Sequence, residues 1–425
     1  MKKFFLFLCV LSFFTPDLLL AEAGKQQQET QVYRDLETFA NVLNLLEQHY
    51  VEEISDHDVI TSGINGMLSS LDPHSSYMPP EQYKELQEET KGSFSGIGIE
   101  ITVRDGVLTV VSPIEGTPAY RQGLQAGDQL IKINGQLTKD MTLMDAVKQL
   151  RGPRGETVTI TIHRKGVQEL QNVVLVRDVI PLHSVKSLPL ESGILYLRIT
   201  NFQSTTTRDF RKALQNSQKK KAIKGLILDL RGNPGGLLDQ AVKIADIFIH
   251  EGVIVSTRGR DPELDMAFDA HQGSSQYDFP MIVLVNGGSA SASEIVAGAL
   301  QDHNRAIIIG TKTFGKGSVQ TIIPLPNGAG LRMTTARYYT PSGQSIQATG
   351  ITPDLIVPFD DTTRQQKNGG GWSIREKDLP NHFENNTGEK KHKKNLKTQE
   401  QEVAQRLATD NQLRSALFIL KNQSQ

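Results

Sequence analysis

The sequence predicts a multidomain α/β protein with helical segments at both ends, and three observations carry that reading. The chain has 425 residues, more than one ordinary hydrophobic core accommodates. From about Ile194 onward, strand-length apolar runs alternate with helix-length amphipathic stretches. Between about Gly92 and Asp178 the texture differs, with short β-type runs and turns around a single helix, enough for a compact module of its own. The expected divisions are 1–23, a leader; 24–91, helical; 92–178, the β-rich module; 179–357, the α/β core; and 358–425, a linker with a helical tail.

The elements follow in order. Apolar residues recur at helical spacing from Val32 to about Met78 (Phe39, Val42, Leu43, Leu46, then Ile60, Ile64, Met67, Leu68), and Asp72-Pro73 closes the stretch. The β-rich module reads as strands at Gly98–Val103, Leu108–Val111, Asp128–Ile133, Thr157–His163 and Val173–Arg177, with a helix over Leu143–Leu150. In the core, Ile194–Ile199, Leu226–Leu230, Met281–Val285, Ile307–Ile309, Gln320–Pro324 and Leu331–Tyr339 read as strands. Arg208–Gln215, Leu238–Ile249 and Ser291–Leu300 read as helices. Beyond Pro358 the chain becomes rich in Gly, Asn and Lys (Gly369-Gly370-Gly371), a linker composition, and one last amphipathic helix follows over Gln399–Leu420.

Lys2 and Lys3 precede an apolar run from Phe4 to Phe14, and Ala21-Glu22-Ala23 follows, the pattern of a secretory leader cleaved after Ala23. An uncleaved anchor is the competing reading, but Pro16-Asp17 interrupts the run well short of the roughly 20 apolar residues a span needs. The predicted location is therefore outside the cytoplasm, in a periplasmic compartment. The only cysteine, Cys9, lies inside the leader, so the mature chain has no thiol for a nucleophile, a disulfide or a cysteine-built metal site. A formal net charge of −1 argues against a dedicated nucleic-acid binder. The basic run Lys390-Lys391-His392-Lys393-Lys394 reads first as a solvated tail.

Four segments carry chemistry. In Asn286-Gly287-Gly288-Ser289-Ala290-Ser291-Ala292-Ser293-Glu294, a buried-strand pattern runs into a turn of small residues and then a helix. A serine there faces unpaired N–H groups and the positive end of the helix dipole, which favour a developing oxyanion. Ser291-x-x-Glu294 is equally a capping box with no catalytic role. The second segment, Thr313-Phe314-Gly315-Lys316-Gly317-Ser318-Val319-Gln320, sets a lysine between glycines. For Lys316 to act as a general base it must be neutral, so its pKa has to fall from about 10.4 to about 8 through desolvation or nearby positive charge. Gln320 is placed to accept a hydrogen bond from the amine. A plain turn with a solvated lysine is the alternative. The third, Asp229-Leu230-Arg231-Gly232-Asn233-Pro234-Gly235-Gly236, offers N–H groups for an oxyanion hole, or simply a tight turn. The fourth, Ser95-Gly96-Ile97-Gly98, precedes a strand and presents successive N–H groups to a carboxylate.

Other chemistries find little support. Asp302 and His303 are neighbours at a helix end and point in different directions. No Gly-x-Ser-x-Gly elbow, His-Glu-x-x-His or phosphate-binding loop occurs, so neither cofactor nor metal is expected. A Ser–Lys dyad remains.

Together these segments resemble the motifs of the C-terminal processing (tail-specific) peptidases, as do Tyr338–Gln347 and Gly350-Ile351-x-Pro353-Asp354. Ala126-Gly127-Asp128-Gln129-Leu130-Ile131 with Ile133-Asn134-Gly135 resembles a PDZ hairpin. The resemblance covers about residues 35–357. It implies a crotonase/Clp-like α/β peptidase core with an inserted PDZ domain. It implies Ser291 as nucleophile, Lys316 as base, Gln320 as the orienting residue, and an oxyanion hole of the Ala292 N–H with that of Gly235 or Gly236. It further implies an ATP-independent endopeptidase acting on exported proteins, whose C-termini bind at Ser95, Gly96, Ile97 and Gly98. An adaptor protein and a homo-oligomer are open as partners. The alternative is a catalytically silent PDZ scaffold.

Overall fold

A computed structural model describes residues 16–104, 106–139, 141–271, 273, 277–360 and 399–423. The glycine run 369–371, the basic run 390–394 and the leader's apolar run lie outside the described residues. The chain divides into two compact units, Met1–Tyr77 and Met78–Gln425.

The first unit holds two helices, α1 (Pro16–His49) and α2 (Asp56–Ser69). Ser55 caps α2 by accepting the Asp58 N–H. Gly63 of α2 packs against the Phe39 ring, 3.3 Å from where a Cβ would stand. The helical reading of this region holds, with α1 starting earlier than the apolar periodicity suggests. No helix among the described residues is long and apolar enough to cross a membrane.

The second unit opens with α3 (Pro80–Lys91), which ends at Gly92 in the left-handed conformation (φ 72°). Strand β1 (Ser93–Gly96) then pairs antiparallel with β7 (Asp178–Pro181), so the chain enters and leaves the β-rich module side by side. Inside the module β2 (Ile99–Arg104), β3 (Val107–Pro113), β4 (Gln129–Ile133), β5 (Thr157–His163) and β6 (Gln171–Val176) form one sheet in that order. Helices α4 (Pro118–Arg121) and α5 (Leu143–Leu150) complete it, α5 held by a full capping box between Thr142 and Asp145. Leu108, Val110, Leu130, Ile133, Ile160 and Ile162 form a core separate from the rest.

The α/β core is a six-stranded sheet. Its order is β8 (Val185–Pro189), β9 (Ile194–Ile199), β10 (Gly225–Asp229), β13 (Met281–Val285), β14 (Ile307–Gly310) and β17 (Leu355–Ile356). Only β8–β9 is antiparallel; the remaining pairs are parallel. Strands buried on both sides need apolar residues throughout, and β10 and β13 are buried at every position. Helices α6 (Thr206–Lys220), α7 (Leu238–Asp246) and α8 (Ala292–Asp302) cover the face carrying Leu226, Leu228, Val283 and Val285. A second sheet includes β11 (Val253–Gly259), β12 (Met266–Asp269), β15 (Ser318–Pro324) and β16 (Gly330–Tyr339); its strands are interleaved in sequence with those of the first, β11 and β12 falling between α7 and β13 and β15 and β16 between β14 and β17.

The opposite face, carrying Tyr196, Ile227, Ile282, Leu284 and Ile309, is covered by the C-terminal segment. Here the expected single helix over Gln399–Leu420 is corrected. It is two helices, α9 (Gln399–Thr409) and α10 (Asn411–Gln423), broken at Asp410. Asp410 caps the second by accepting the Leu413 N–H at 2.9 Å. Leu413, Leu417 and Leu420 are buried, each stabilising by about 1.5–3 kcal/mol relative to exposure. The segment is therefore a layer of the core rather than an appended tail.

Candidate active site

The parallel strands β10 and β13 end side by side, and the turns that follow them, 230–236 and 286–291, meet at their carboxyl ends. Open α/β sheets place their sites at that edge. Asparagine and serine side chains bind the turns to each other. Asn286 Oδ1 accepts the N–H groups of Gly232 (2.9 Å) and Gly288 (3.0 Å). Asn233 uses Oδ1 to take the Gly235 N–H, and its carbonyl accepts the Ala290 N–H.

This lattice separates the three serines. Ser289 is fully buried and its hydroxyl donates to the Leu230 carbonyl at 2.8 Å. Ser293 is fully buried and donates to the Asn233 carbonyl at 3.0 Å. Ser291, 9% exposed, is the one of the three that reaches solvent at all. It precedes α8 with φ 53° and ψ −113°, a backbone state that non-glycine residues seldom adopt and that stores strain. Gly235 approaches it so closely that a Cβ there would lie 2.9 Å from Ser291 Cβ and 3.1 Å from the Ala292 nitrogen.

Glu294 joins the serine to the lysine segment. Its carboxylate is fully buried yet accepts four hydrogen bonds. Oε2 takes the backbone N–H of Ser291 (2.8 Å) and of Lys316 (2.9 Å). Oε1 takes the Gly315 N–H (2.7 Å) and the Thr313 hydroxyl (2.5 Å). Burial pushes its pKa up, while the bonds from Thr313, Gly315, Ser291 and Lys316 oppose that rise; the net direction is upward. The capping box between Ser291 and Glu294 is present, and Glu294, having received the cap residue's N–H, spends its remaining capacity on the lysine loop. Gln347 Oε1 fixes the other side of that loop by accepting the Gly317 N–H at 3.0 Å. Lys316 itself is half-buried. Gln320 anchors its amide nitrogen on Ser318 Oγ (2.8 Å), leaving its carbonyl oxygen as the acceptor end.

For the oxyanion donors, the Gly235 N–H already donates to Asn233 Oδ1 at 2.9 Å. The Gly236 and Ala292 N–H groups have no partner among the described residues. Gly236 also admits no side chain, since a Cβ would stand 2.2 Å from the Phe202 carbonyl oxygen. His303, the rejected histidine, turns its ring to the Val253 carbonyl (2.7 Å), and Asp302 accepts the Ser342 N–H.

In the β-rich module β2 lies at the sheet edge, hydrogen-bonded to β3 alone, with α5 packed against it. The carbonyls of Ile97 and Gly98 are held inward by the Ala119 and Ile114 N–H groups. In trans peptides the N–H of the next residue points the opposite way, so those of Gly98 and Ile99 face away from these bonds. Ser95 and Gly96 are different: both lie in β1 opposite Val179 and Asp178. Gly98 takes φ 78° and has Thr117 2.3 Å from a hypothetical Cβ, so only glycine fits. Glu294, Asn233, Asn286 and Ile99 escaped the sequence reading of roles. A glutamate three residues past a cap serine was the visible sign of the first.

A serine in a strained strand-to-helix turn of the α/β core, in a chain that also carries a separate β-rich module with a PDZ-type hairpin, defines a serine peptidase core with an added domain. Comparison with known proteins agrees. The family profile for peptidase family S41 matches residues 193–357, the PDZ domain matches 85–163, and the activating protease CtpB N-terminal domain matches 17–82. The carboxy-terminal-processing protease of Bartonella bacilliformis is 50% identical over 343 residues, 80% of this chain and 79% of its own. The carboxy-terminal processing protease CtpA of Bacillus subtilis is 37% identical over 320 residues, 74% of this chain and 67% of its own. Among solved structures, a photosystem II D1 C-terminal processing protease is 30% identical, with 75% of this chain and 92% of that one covered at a TM-score of 0.44. The chain belongs to peptidase family S41, the carboxy-terminal processing serine proteases, and carries a PDZ domain.

Proposed function

We propose that this protease works by a Ser291–Lys316 dyad on exported proteins, taking them by their C-terminal tails without ATP. The observation that carries the dyad is the single Glu294 oxygen accepting both the Ser291 and the Lys316 N–H groups, which fixes the nucleophile's and the base's backbones together. Lys316, when neutral, takes the Ser291 proton as Oγ attacks the scissile carbonyl, and later returns it to the leaving amine. Gln320 orients the amine through its carbonyl oxygen. The oxyanion is met by the Ala292 and Gly236 N–H groups; Gly235 serves by its closeness rather than as a donor. The substrate tail adds as a strand to β2 beside α5, its carboxylate met by the loop that includes Gly98 and Ile99.

Purified protein is to be given a folded substrate with an apolar tail, in buffer without nucleotide. Ser291→Ala and Lys316→Ala are expected to stay folded and lose cleavage, and amidating the tail is expected to weaken capture. Unchanged cleavage by either variant refutes the dyad, and a nucleotide requirement refutes the ATP-independent reading. Tail binding with no turnover by the wild type favours the scaffold alternative. The leader reading is checked by N-terminal sequencing of envelope-fraction protein, expected to begin at Gly24.

A further inference from the structure

We propose that Asp410, at the break between α9 and α10, is a positioning residue for the oxyanion hole, acting through Arg231. This rests on the reading of Gly236 and Ala292 as oxyanion donors. Arg231 opens the turn that ends in Gly235-Gly236, and its guanidinium is nearly buried on the face covered by the C-terminal helices. Asp229 occupies one side of it, accepting from Nε at 3.0 Å and from Nη2 at 2.7 Å. Asp410 occupies the other with a two-point contact, Nη1 to Oδ1 at 2.9 Å and Nη2 to Oδ2 at 2.7 Å. Gln412 adds a further acceptor on Nη1 at 2.9 Å.

The guanidinium is planar, so fixing both edges fixes the side chain and, through it, the start of the turn. The backbone of Arg231 is held on the same frame: its N–H donates to Asp229 Oδ1 at 2.9 Å and its carbonyl accepts from Arg198 at 3.1 Å. One residue on, Gly232 donates to Asn286, which also holds the serine turn. Asp229 is itself fully committed, taking the Tyr196 hydroxyl at 2.7 Å as well. It cannot hold the far edge of Arg231, and no carboxylate from the 193–357 core does so among the described residues. The chain supplies that partner from position 410, and the helix break is what places it: a continuous helix would carry residue 410 along its axis instead of capping α10 beneath Arg231.

The experiment uses the full-length chain. Asp410→Asn is expected to lower kcat about tenfold to a hundredfold, the scale of a displaced oxyanion donor. KM for a tailed substrate should hold, while affinity for a peptide aldehyde, whose adduct with the serine mimics the tetrahedral state, should fall by the same factor. Asp410→Glu, which keeps the charge, is expected to recover most of the loss. Leu417→Ala loosens α10 without touching Arg231, and is expected to lower the melting temperature with kcat nearly unchanged. Should Asp410→Asn not fold, Gln412→Ala carries the same test with a smaller drop in kcat. The proposal is overturned if Asp410→Asn lowers only the melting temperature, if Asp410→Glu is no better than Asp410→Asn, or if Leu417→Ala loses kcat equally. Activity persisting in Ser291→Ala would instead overturn the underlying dyad.

Discussion

Replacing Glu294 with glutamine exchanges one oxygen for an NH2 group and changes the shape of the site very little. Its consequence follows from the donors already in place. Each carboxylate oxygen accepts from two groups; three of the four are backbone N–H groups with nothing to offer an amide, and only the Thr313 hydroxyl, which already accepts the Ile351 N–H, has a lone pair to give. Whichever end the NH2 takes, it faces at least one backbone N–H, and one or two hydrogen bonds are lost. Bonds to a charged acceptor contribute about 1.5–3 kcal/mol each, so the gross loss is about 1.5–6 kcal/mol. Burial raises the Glu294 pKa, so neutralising the group returns part of that desolvation cost. A net loss of about 2–4 kcal/mol in unfolding free energy is expected, read from urea midpoints. Turnover should fall at least about a hundredfold, because the loss loosens the carboxylate that the Ser291 and Lys316 segments share. The pH–rate profile adds a check. Protonation of Glu294 should cut wild-type activity on the acid side at a pH above the ordinary glutamate range. A Glu294→Gln protein with wild-type kcat/KM and an unchanged urea midpoint would refute the clamp.

The flanking serines are expected to behave as structure. Ser289→Ala and Ser293→Ala should each cost about 1–2 kcal/mol in unfolding free energy, yet still react with a fluorophosphonate probe, whereas Ser291→Ala should not; loss of labelling in a folded Ser293→Ala would contradict the assignment. Gly98→Ala sets a Cβ 2.3 Å from Thr117 at φ 78°, so the PDZ domain should lose more than about 3 kcal/mol and its tail binding, measured by limited proteolysis and peptide titration, while a peptide too short to need that domain is still cut. Asp229 gives a stability test. Burial alone would raise its pKa, but the Arg231 and Tyr196 bonds hold it below the usual carboxylate value. A depressed folded pKa contributes stability that is present above the unfolded value, about 3.9, and is lost as pH falls through the lower folded one. Wild-type urea midpoints should therefore drop steeply below pH about 4, and Asp229→Asn should be weaker at neutral pH with a shallower acid slope.

Much of the core was legible because its strands are buried on both sides and must be apolar throughout. Ile194–Ile199 and Met281–Val285 stand where the runs predict, and Leu143–Leu150 is delimited by its capping box. Strands with one wet face were harder. β11 reads Val-Ile-Val-Ser-Thr-Arg-Gly, and its polar second half hid it; β8 contains Lys186 and Ser187 and was missed for the same reason. In the C-terminal segment, helical periodicity runs through Asp410 almost unbroken, and the break is stabilised by tertiary partners the sequence does not reveal, Arg231 to Asp410 and the 357–360 segment to Asn411 and Gln412. The site followed the same rule. Ser291, Lys316 and Gln320 are singled out by what the family resemblance of their segments implies, each being ambiguous alone, but the roles of Glu294, Asn233 and Asn286 depend on bonds between segments far apart in sequence. Choosing between Gly235 and Gly236 needed the knowledge of which N–H Asn233 had already taken.

The β1–β7 pair makes the recognition module a cassette. Ser93 to Gly96 run beside Pro181 to Asp178, so the whole module hangs from a two-stranded stem whose ends adjoin. Such a stem lets the intervening sequence drift, or be exchanged for another tail-reading domain, without rethreading the sheet that holds the serine. On the proposed reading, taste and bite are thereby heritable separately: changes confined to β2 and α5 would alter which proteins are trimmed while the 229–236, 286–294 and 313–320 segments stay as they are.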